Sequence, residues 1–558
     1  MTESIDSGKD SPPEANNASL ARSTAGMAAG TVVSRLLGVL RASMQVAVVG
    51  TLLSGDAWDV ANTLPNLVYG LLAGGILNAV LVPQITRAAR HADGGREYVD
   101  RLLTIAITGI AVVTVVFTLA AGLLVRLYST PTWTPDVRSL STAFALICMP
   151  QVFFYGLYTL LGQVLNARNH FIAYMWAPVV ANLVAIGGLG YFLLNYPHEV
   201  AVSSWTSPMI WVLAGSATAG IVAQALVLVV PLWRSGFRFT PRWGFRGVGL
   251  RTASTVALWT LAALAVSTLG FIITSRVLTY AGQAGSAAGL VVPSKISYSN
   301  AFYIFMLPHG LVTVSLVTAL FTRMSRAAGA GDLGEVRADV SRGMRLTAVA
   351  TIPATVGALV LGFAATATIY WGNSEASTRG IAVVMMAMML GLVPFGVFYL
   401  LQRVFYAFED ARTPFRLQIV VTVVATIANL LSLLLPLQWI AVGVGVGQAL
   451  SNLAGMAVGL VLARRRLGTL PLGDVTRTYV RLGVASLLAG GAAYVLLVVL
   501  GQVVHGKLYN PVALVAGGLL FAGVYVVVAR RLRVREIDDL VGPVLERVHR
   551  AVSRTPGR

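Results

Sequence analysis

Apolar residues in this chain do not alternate with polar ones. They run on for 20 or more positions, stop at a short polar or basic segment, and resume. A run of that length is what a helix needs to cross the hydrocarbon core of a bilayer. Such runs lie at roughly 27–50, 57–85, 102–125, 139–165, 172–194, 208–233, 252–280, 291–322, 346–370, 380–402, 415–435, 437–463, 482–500 and 511–529. The pattern predicts an all-α integral membrane protein with about fourteen transmembrane helices. The first residues, MTESIDSGKDSPPEANNASL, are polar and predict a disordered cytoplasmic tail over 1–24. They lack the basic start and apolar core of a signal peptide.

The segments between the runs alternate in charge. TLLSGD, LNYPHEVAVSSWTSP, AGQAGSAAG and LLPLQW carry no basic residue. The others on that side hold only Arg138, Arg379 and Lys507, with Arg126 just inside a helix end. The intervening segments are basic. One holds Arg87, Arg90, Arg96 and Arg101; a second holds Arg234, Arg238, Arg242, Arg246 and Arg251. Two later ones hold Arg323, Arg326, Arg337, Arg342 and Arg345, and then Arg464, Arg465, Arg466, Arg477 and Arg481. Basic loops stay on the cytoplasmic side, so both termini are expected there. The final segment, 531–558, is basic and amphipathic, suited either to an anionic leaflet or to solvent.

Composition agrees with this class. Of 558 residues 56% are hydrophobic and 11% charged, against about 25% charged in soluble domains. The net charge of +19 would raise nucleic acid as a partner in a soluble protein. Here the arginines mark topology, and no nucleic-acid partner is expected. A single cysteine, Cys148, excludes a disulfide framework within the chain.

The halves echo each other at an offset of roughly 240 residues. LLGQVLNARNHF after the fourth run matches LLQRVFYAFEDARTPF after the tenth. LPNLVYGLLAGGILNAVLVPQITRAA in the second run matches LPHGLVTVSLVTALFTRMSRAA in the eighth. Repeated halves with a substrate site between them are the architecture of secondary transporters. The expected domains are a tail (1–24), an N-lobe of six helices (25–235), a C-lobe of six (236–465), a helix pair (466–530) and a basic tail (531–558).

Charges inside the runs are few. Arg35 and Arg41 lie in the first, Arg276 near the outer end of the seventh and Lys295 near the start of the eighth. A central arginine costs about 3 kcal/mol or more in hydrocarbon, so it faces a cavity or a partner. The acids within reach are few: Asp56 and Asp59 at the outer start of the second run, Glu409 and Asp410 at an inner end. Unpaired cations facing a cavity imply an anionic ligand, and guanidinium suits phosphate. Arg276 and Lys295 can instead snorkel to the interface. Arg35 and Arg41 are about 120° apart on an ideal helix, so both line one cavity only on a wide face or a bend, for which Gly38 offers a place. No G-x-x-x-x-G-K-[ST] occurs, which argues against an ATP-driven pump. The histidines, at 91, 170, 198, 309, 505 and 549, have no metal-ligand spacing, so no metal site is expected.

The segments SRLLGVLRASMQVAVVG, GDAWDVANTLPNLV and VPQITRAA resemble the start of the MurJ (MviN) family, in the multidrug/oligosaccharidyl-lipid/polysaccharide exporter superfamily. FMLPHGLVTVSLVTALFTRMSRAA and RVFYAFEDARTP resemble its second-half motifs. The resemblance covers roughly residues 25 to 530. It implies fourteen helices and a flippase that carries lipid II, the undecaprenyl-pyrophosphate-linked peptidoglycan precursor, across the plasma membrane. Arg35 and Arg41 match the family's first-helix cavity arginines, and Asp56 its aspartate at the start of the second helix. The chain departs from the pattern at Tyr69 and Tyr303, where many members have arginine, and at Gly74 and Met306, where they have glutamate. Arg276 and Lys295 are candidates to compensate.

The expected function is therefore a lipid II flippase working by alternating access, a transporter rather than an enzyme, with substrate ligands Arg35, Arg41, Asp56, Arg276 and Lys295. The helix pair would offer a groove for the lipid tail. The alternatives are a flippase for another polyprenyl-linked glycan, a drug exporter, a membrane enzyme such as a glycan polymerase, or a non-transporting scaffold of cell-wall assembly. Short outer loops poor in carboxylates weigh against the enzyme, and central arginines against cationic drugs and the scaffold. No cofactor is expected. Coupling to membrane potential, to a monovalent cation (a sodium or proton gradient) or to the substrate gradient stays open, with Asp410 and Thr426 as candidate ion ligands and a helix cap as the other role for Asp410. Cell-wall synthesis or division proteins are candidate partners.

Overall fold

The computed structural model describes residues 13–73, 96–168, 170–244 and 255–538, and among these there is no strand. The expected runs become α1 (Pro13–Val49), α2 (Leu53–Leu72), α3 (Arg96–Leu119, continued by Ala121–Tyr128), α4 (Pro135–Cys148 and Gln151–Ala167), α5 (Phe171–Asn195) and α6 (Ser207–Leu226, continued by Val229–Arg234). The second half holds α7 (Thr255–Ala287), α8 (Lys295–Pro308, a π turn His309–Thr313, and Val314–Gly329), α9 (Leu333–Ile369), α10 (Glu375–Met389 and Leu392–Ala407), α11 (Arg412–Ser432) and α12 (Leu437–Leu467). The terminal pair is α13 (Leu472–Val503) and α14 (Tyr509–Arg531).

Local chemistry sets the boundaries. The side chains of Thr134, Asp332 and Ser374 accept from the backbone N–H of Val137, Glu335 and Ser377 and so begin α4, α9 and α10, satisfying donors a helix start leaves open. Gly50 and Gly468, at φ 70° and 80°, end α1 and α12 in a conformation that favours glycine.

Twelve of these helices are long and apolar enough to cross a membrane, or thirteen with the bent α10 counted as one span. The expected fourteen is not reached among the described residues. The shortfall is α2, whose outer start carries Asp56 and Asp59 and whose expected remainder, with Gly74, lies outside the described residues. Two terminal readings change as well. Residues 13–24, expected as disordered tail, continue α1 as helix; apart from Pro13, the sequence there holds nothing that breaks a helix and is rich in alanine. The start of the basic tail is docked: Val534 and Ile537 are buried and Arg345 Nε donates to Glu536 Oε1 at 2.6 Å. Residues 1–12 and 539–558 lie outside the described residues.

The repeat is visible in which helices touch. In the first half α1 packs on α5, α5 on α6, and α2 on α4; in the second, α7 packs on α11, α11 on α12, and α8 on α10. The corresponding helices also break at matching places, α4 at Met149–Pro150 and α10 at Leu390–Gly391, where α10 bends by 50°. The pair α13–α14 packs on α9.

The two lobes meet unequally along the membrane normal. Outer ends are those joined by the arginine-poor loops. There the lobes share cores: Ile296 of α8 is buried among first-lobe residues such as Trp58 and Phe144, and Val46 of α1 among second-lobe residues such as Phe305 and Met385. At the inner ends, among the described residues, the core around Leu102 and Leu165 is drawn from the first lobe, and that around Leu400 and Leu417 from the second lobe and the start of the terminal pair, at Leu470 and Val475.

Candidate functional site

Arg35 and Arg41 of α1 face one cavity of about 350 Å3 at the junction of the lobes. Its other walls include Tyr155 of α4, Asn182 of α5, Gln224 of α6, and Tyr303 and Met306 of α8. No carboxylate lines it among the described residues. The Arg41 Nε is buried with no hydrogen-bond partner. Arg35 Nη2 donates to the Gly310 carbonyl at 3.4 Å, which lies in the π turn of α8. A π turn leaves its backbone less regularly bonded and is frequent at functional positions. A Cβ on Gly310 would stand 3.0 Å from the Arg35 guanidinium, so glycine there lets the arginine lie close against the turn.

Gly38 plays a different part from the bend expected of it. The helix α1 runs unbroken, and a Cβ on Gly38 would stand 2.8 Å from the Tyr303 hydroxyl. Glycine there allows the lobes to approach at mid-membrane. Both arginines reach one cavity because the exposed face of α1 is wide. Tyr303 stands where the family pattern has arginine, within electrostatic range of both guanidinia. The cavity thus keeps two cations and adds a phenol.

The other candidate ligands are not brought to this cavity. Asp56 is fully buried at the outer end and belongs to the seam between the lobes. Its Oδ1 accepts from Ser294 Oγ at 2.7 Å and from the Ile296 N–H at 2.9 Å. It therefore caps α8 from the opposite lobe. Lys295, 1% exposed, donates to Asp59 Oδ2 at 2.5 Å. Ser299 Oγ donates to the same oxygen at 2.7 Å. Lys295 is therefore not an unpaired cation, and a buried pair of this kind loses its attraction to other anions. Arg276 donates from Nε to the Leu127 carbonyl at 2.8 Å and from Nη2 to that of Arg126 at 3.4 Å. It ties the end of α3 to α7 and does not replace the cations missing at Tyr69 and Tyr303. Tyr69 bonds Thr159 within the first lobe.

Asp410 and Thr426 do not share a site. Asp410 accepts from the Thr413 N–H at 3.1 Å and from Thr413 Oγ1 at 2.7 Å, with Arg466 Nη1 3.9 Å away. It is the cap of α11. Thr426 lies about 21 Å further along the helix axis from Arg412, at 1.5 Å per residue. Among the described residues no cluster of three His, Cys, Asp or Glu could hold a metal.

Three features escaped the sequence reading. Tyr155, Asn182 and Gln224 complete the cavity, and their signal was present as single polar residues in apolar runs. Arg403 of α10 lies over the rings of Tyr399 and Phe321, 4.9 and 5.7 Å from their centroids. A second, uncharged cavity of about 320 Å3 inside the C-lobe is lined by Thr274, Gln418, Asn429, Gln448 and Asn452 among others.

Comparison with known proteins places the chain. The family model described as "Lipid II flippase MurJ" matches residues 46–512. A "Probable lipid II flippase MurJ" of Rhizobium meliloti (strain 1021) is 27% identical over 405 residues, 71% of this chain and 72% of the relative. The "Lipid II flippase MurJ" of Burkholderia cenocepacia is 26% identical over 472 residues, 82% and 87% of the two chains. Among solved structures, a lipid II flippase MurJ in an inward closed conformation aligns with TM-score 0.68 at 17% identity, covering 91% of this chain and 99% of that one. An inward-facing MATE family transporter of the MOP superfamily aligns at 0.61 and 14% identity, covering 80% and 96%. The fold is therefore that of the superfamily, and with most of its length matched by the family model this chain belongs to the lipid II flippase MurJ family.

Proposed function

We infer that this chain flips lipid II by alternating access, binding the pyrophosphate in the cavity between its lobes. The observation that carries the reading is the pair Arg35 and Arg41, facing one cavity with no acid on its walls. Held without a ligand in hydrocarbon, such cations are costly unless water reaches them. A diphosphate replaces that water with charge-assisted hydrogen bonds, which a guanidinium makes as a fork. The cavity has room for the phosphates, and the glycan extends toward the inner ends, where the two lobes share no core among the described residues. Among the described residues the cavity walls carry no carboxylate, an arrangement of binding and release that fits transport better than catalysis.

The shared core and polar bonds at the outer seam hold that side closed, so the site opens inward in this state. Release requires the seam to part. Of the energy sources open from the sequence, the membrane potential is favoured. Two unpaired charges near mid-membrane move in the field with the lobes, and each full charge crossing is worth about 2.3 kcal/mol per 100 mV. Loop charge supports cytoplasmic termini. The test is depletion of the protein followed by labelling of lipid II on the outer face. Loss of outer lipid II on depletion, restored by re-expression, is expected; unchanged exposure would refute the reading.

A further inference from the structure

The outer ends of this protein are nearly free of cations, yet three of the few gather in one place. Arg126 sits in the last turn of α3, Arg138 in the second turn of α4, and Arg276 of α7 bonds the carbonyls beside Arg126. Arg379, another outer cation, is already paired with Glu375 at 3.0 Å. Arg126 makes no hydrogen bond or ion pair through its side chain among the described residues. Arg138 donates from Nη2 to the carbonyls of Pro131 and Trp133, at 3.2 and 3.1 Å, while its Nε is buried without a partner. Asp136, in the first turn of α4, forms no ion pair with either. Snorkelling explains one arginine at an interface; it does not explain two unpaired with acid across one groove.

The groove between them has a volume of about 680 Å3 and is open to the side. The two helices run antiparallel, and each presents the same order from the outer end inward. On α3 it is Arg126, then Leu123 and Leu119, 69% and 82% exposed. On α4 it is Arg138, then Thr142 and Leu146, the leucine 47% exposed. Charge lies at headgroup depth and apolar surface below it, continuous with the lipid-facing stripe of α3 at Val115. We propose that this groove binds an anionic glycerophospholipid, its phosphate held by Arg126 and Arg138 and an acyl chain lying on Leu119, Leu123 and Leu146. The site is separate from the central cavity and does not depend on its assignment. Its occupant is a lipid of the surrounding leaflet, because the groove is lined by residues of the first lobe, with Leu123 and Leu146 exposed on its walls.

The purified full-length protein tests this in mixed dioleoyl phosphatidylglycerol and phosphatidylcholine, with bound lipid counted by native mass spectrometry. Wild type should retain one phosphatidylglycerol in preference to phosphatidylcholine. Arg126→Gln should lower that retention about tenfold, the size of one lost charge-assisted contact. Arg126 is the variant of choice because its side chain supports nothing else, whereas Arg138→Gln would also free two loop carbonyls. Arg379→Gln should retain lipid as wild type does. Equal retention by Arg126→Gln, or no preference for phosphatidylglycerol, would overturn the proposal. So would displacement of the bound lipid by a polyprenyl pyrophosphate at equal concentration, since that would make the groove a second substrate site.

Discussion

Lys295 and Arg41 are both cations inside the helix bundle, and the protein treats them oppositely. At the outer seam Lys295 meets Asp59, and Asp56 caps the helix that Lys295 begins. In the central cavity Arg41 has no acid and leaves its Nε without a partner. A buried ion pair that keeps its hydrogen bonds is self-sufficient. A buried cation without an anion is completed by something from outside. The seam is thus structure that must break in each cycle, and the cavity is a site that must fill.

Substitutions can break this contrast. The largest effect is expected from Arg41→Ala in a depleted strain. It should leave membrane levels normal on immunoblot, because removing an unpaired charge from the bilayer relieves a cost. Lipid II exposure should nonetheless fall about ten- to a hundredfold, the worth of a charge-assisted bond. Arg41→Lys should recover part of it, since an ammonium lacks the fork. At the seam the order reverses, and stability suffers first. Lys295→Ala strands Asp59 and should lower unfolding stability by about 3–5 kcal/mol, read as a drop in melting temperature of the purified protein. The double variant Lys295→Met/Asp59→Leu should regain most of that loss, and a double variant no more stable than the single would show that the pair is not the cause.

Smaller effects sharpen the picture. Asp56→Ala removes the acceptor for the Ile296 N–H and should cost about 1 kcal/mol, the usual size of a lost cap. Asp56→Asn keeps an oxygen and should cost less, read as a smaller drop in melting temperature than in the alanine variant. Asp410→Ala should cost about 1 kcal/mol or less as the cap of α11, and should leave the response of transport to sodium or potassium as it is in wild type. A changed ion dependence would restore Asp410 as an ion ligand.

Much of this was legible in the sequence, for a stateable reason. Arg35 and Arg41 stand out because a charge in a long apolar run has few explanations, and the spans found among the described residues followed from the same contrast. The halves were legible because the repeated motifs survive. What escaped depends on distance in the chain. Asp59 and Lys295 are 236 positions apart, and no periodicity links an acid in one lobe to a lysine in the other. Asp59 therefore read only as an acid within reach, and Lys295 as a cavity ligand or a side chain snorkelling to the interface. The same holds for Arg276, whose carbonyl partners leave no trace in side-chain identity. Asp410 was legible in both of its readings, and only the straight run of α11 separates it from Thr426.

The central claim is that Arg41 is completed by the substrate's pyrophosphate and Lys295 by the protein. Binding of a polyprenyl pyrophosphate to purified wild type, Arg41→Ala and the Lys295→Met/Asp59→Leu variant tests it in one experiment. The account predicts that affinity falls at least about tenfold in Arg41→Ala and stays within a factor of about two in the seam variant. Undiminished binding by Arg41→Ala, or an equal loss in both, would contradict it.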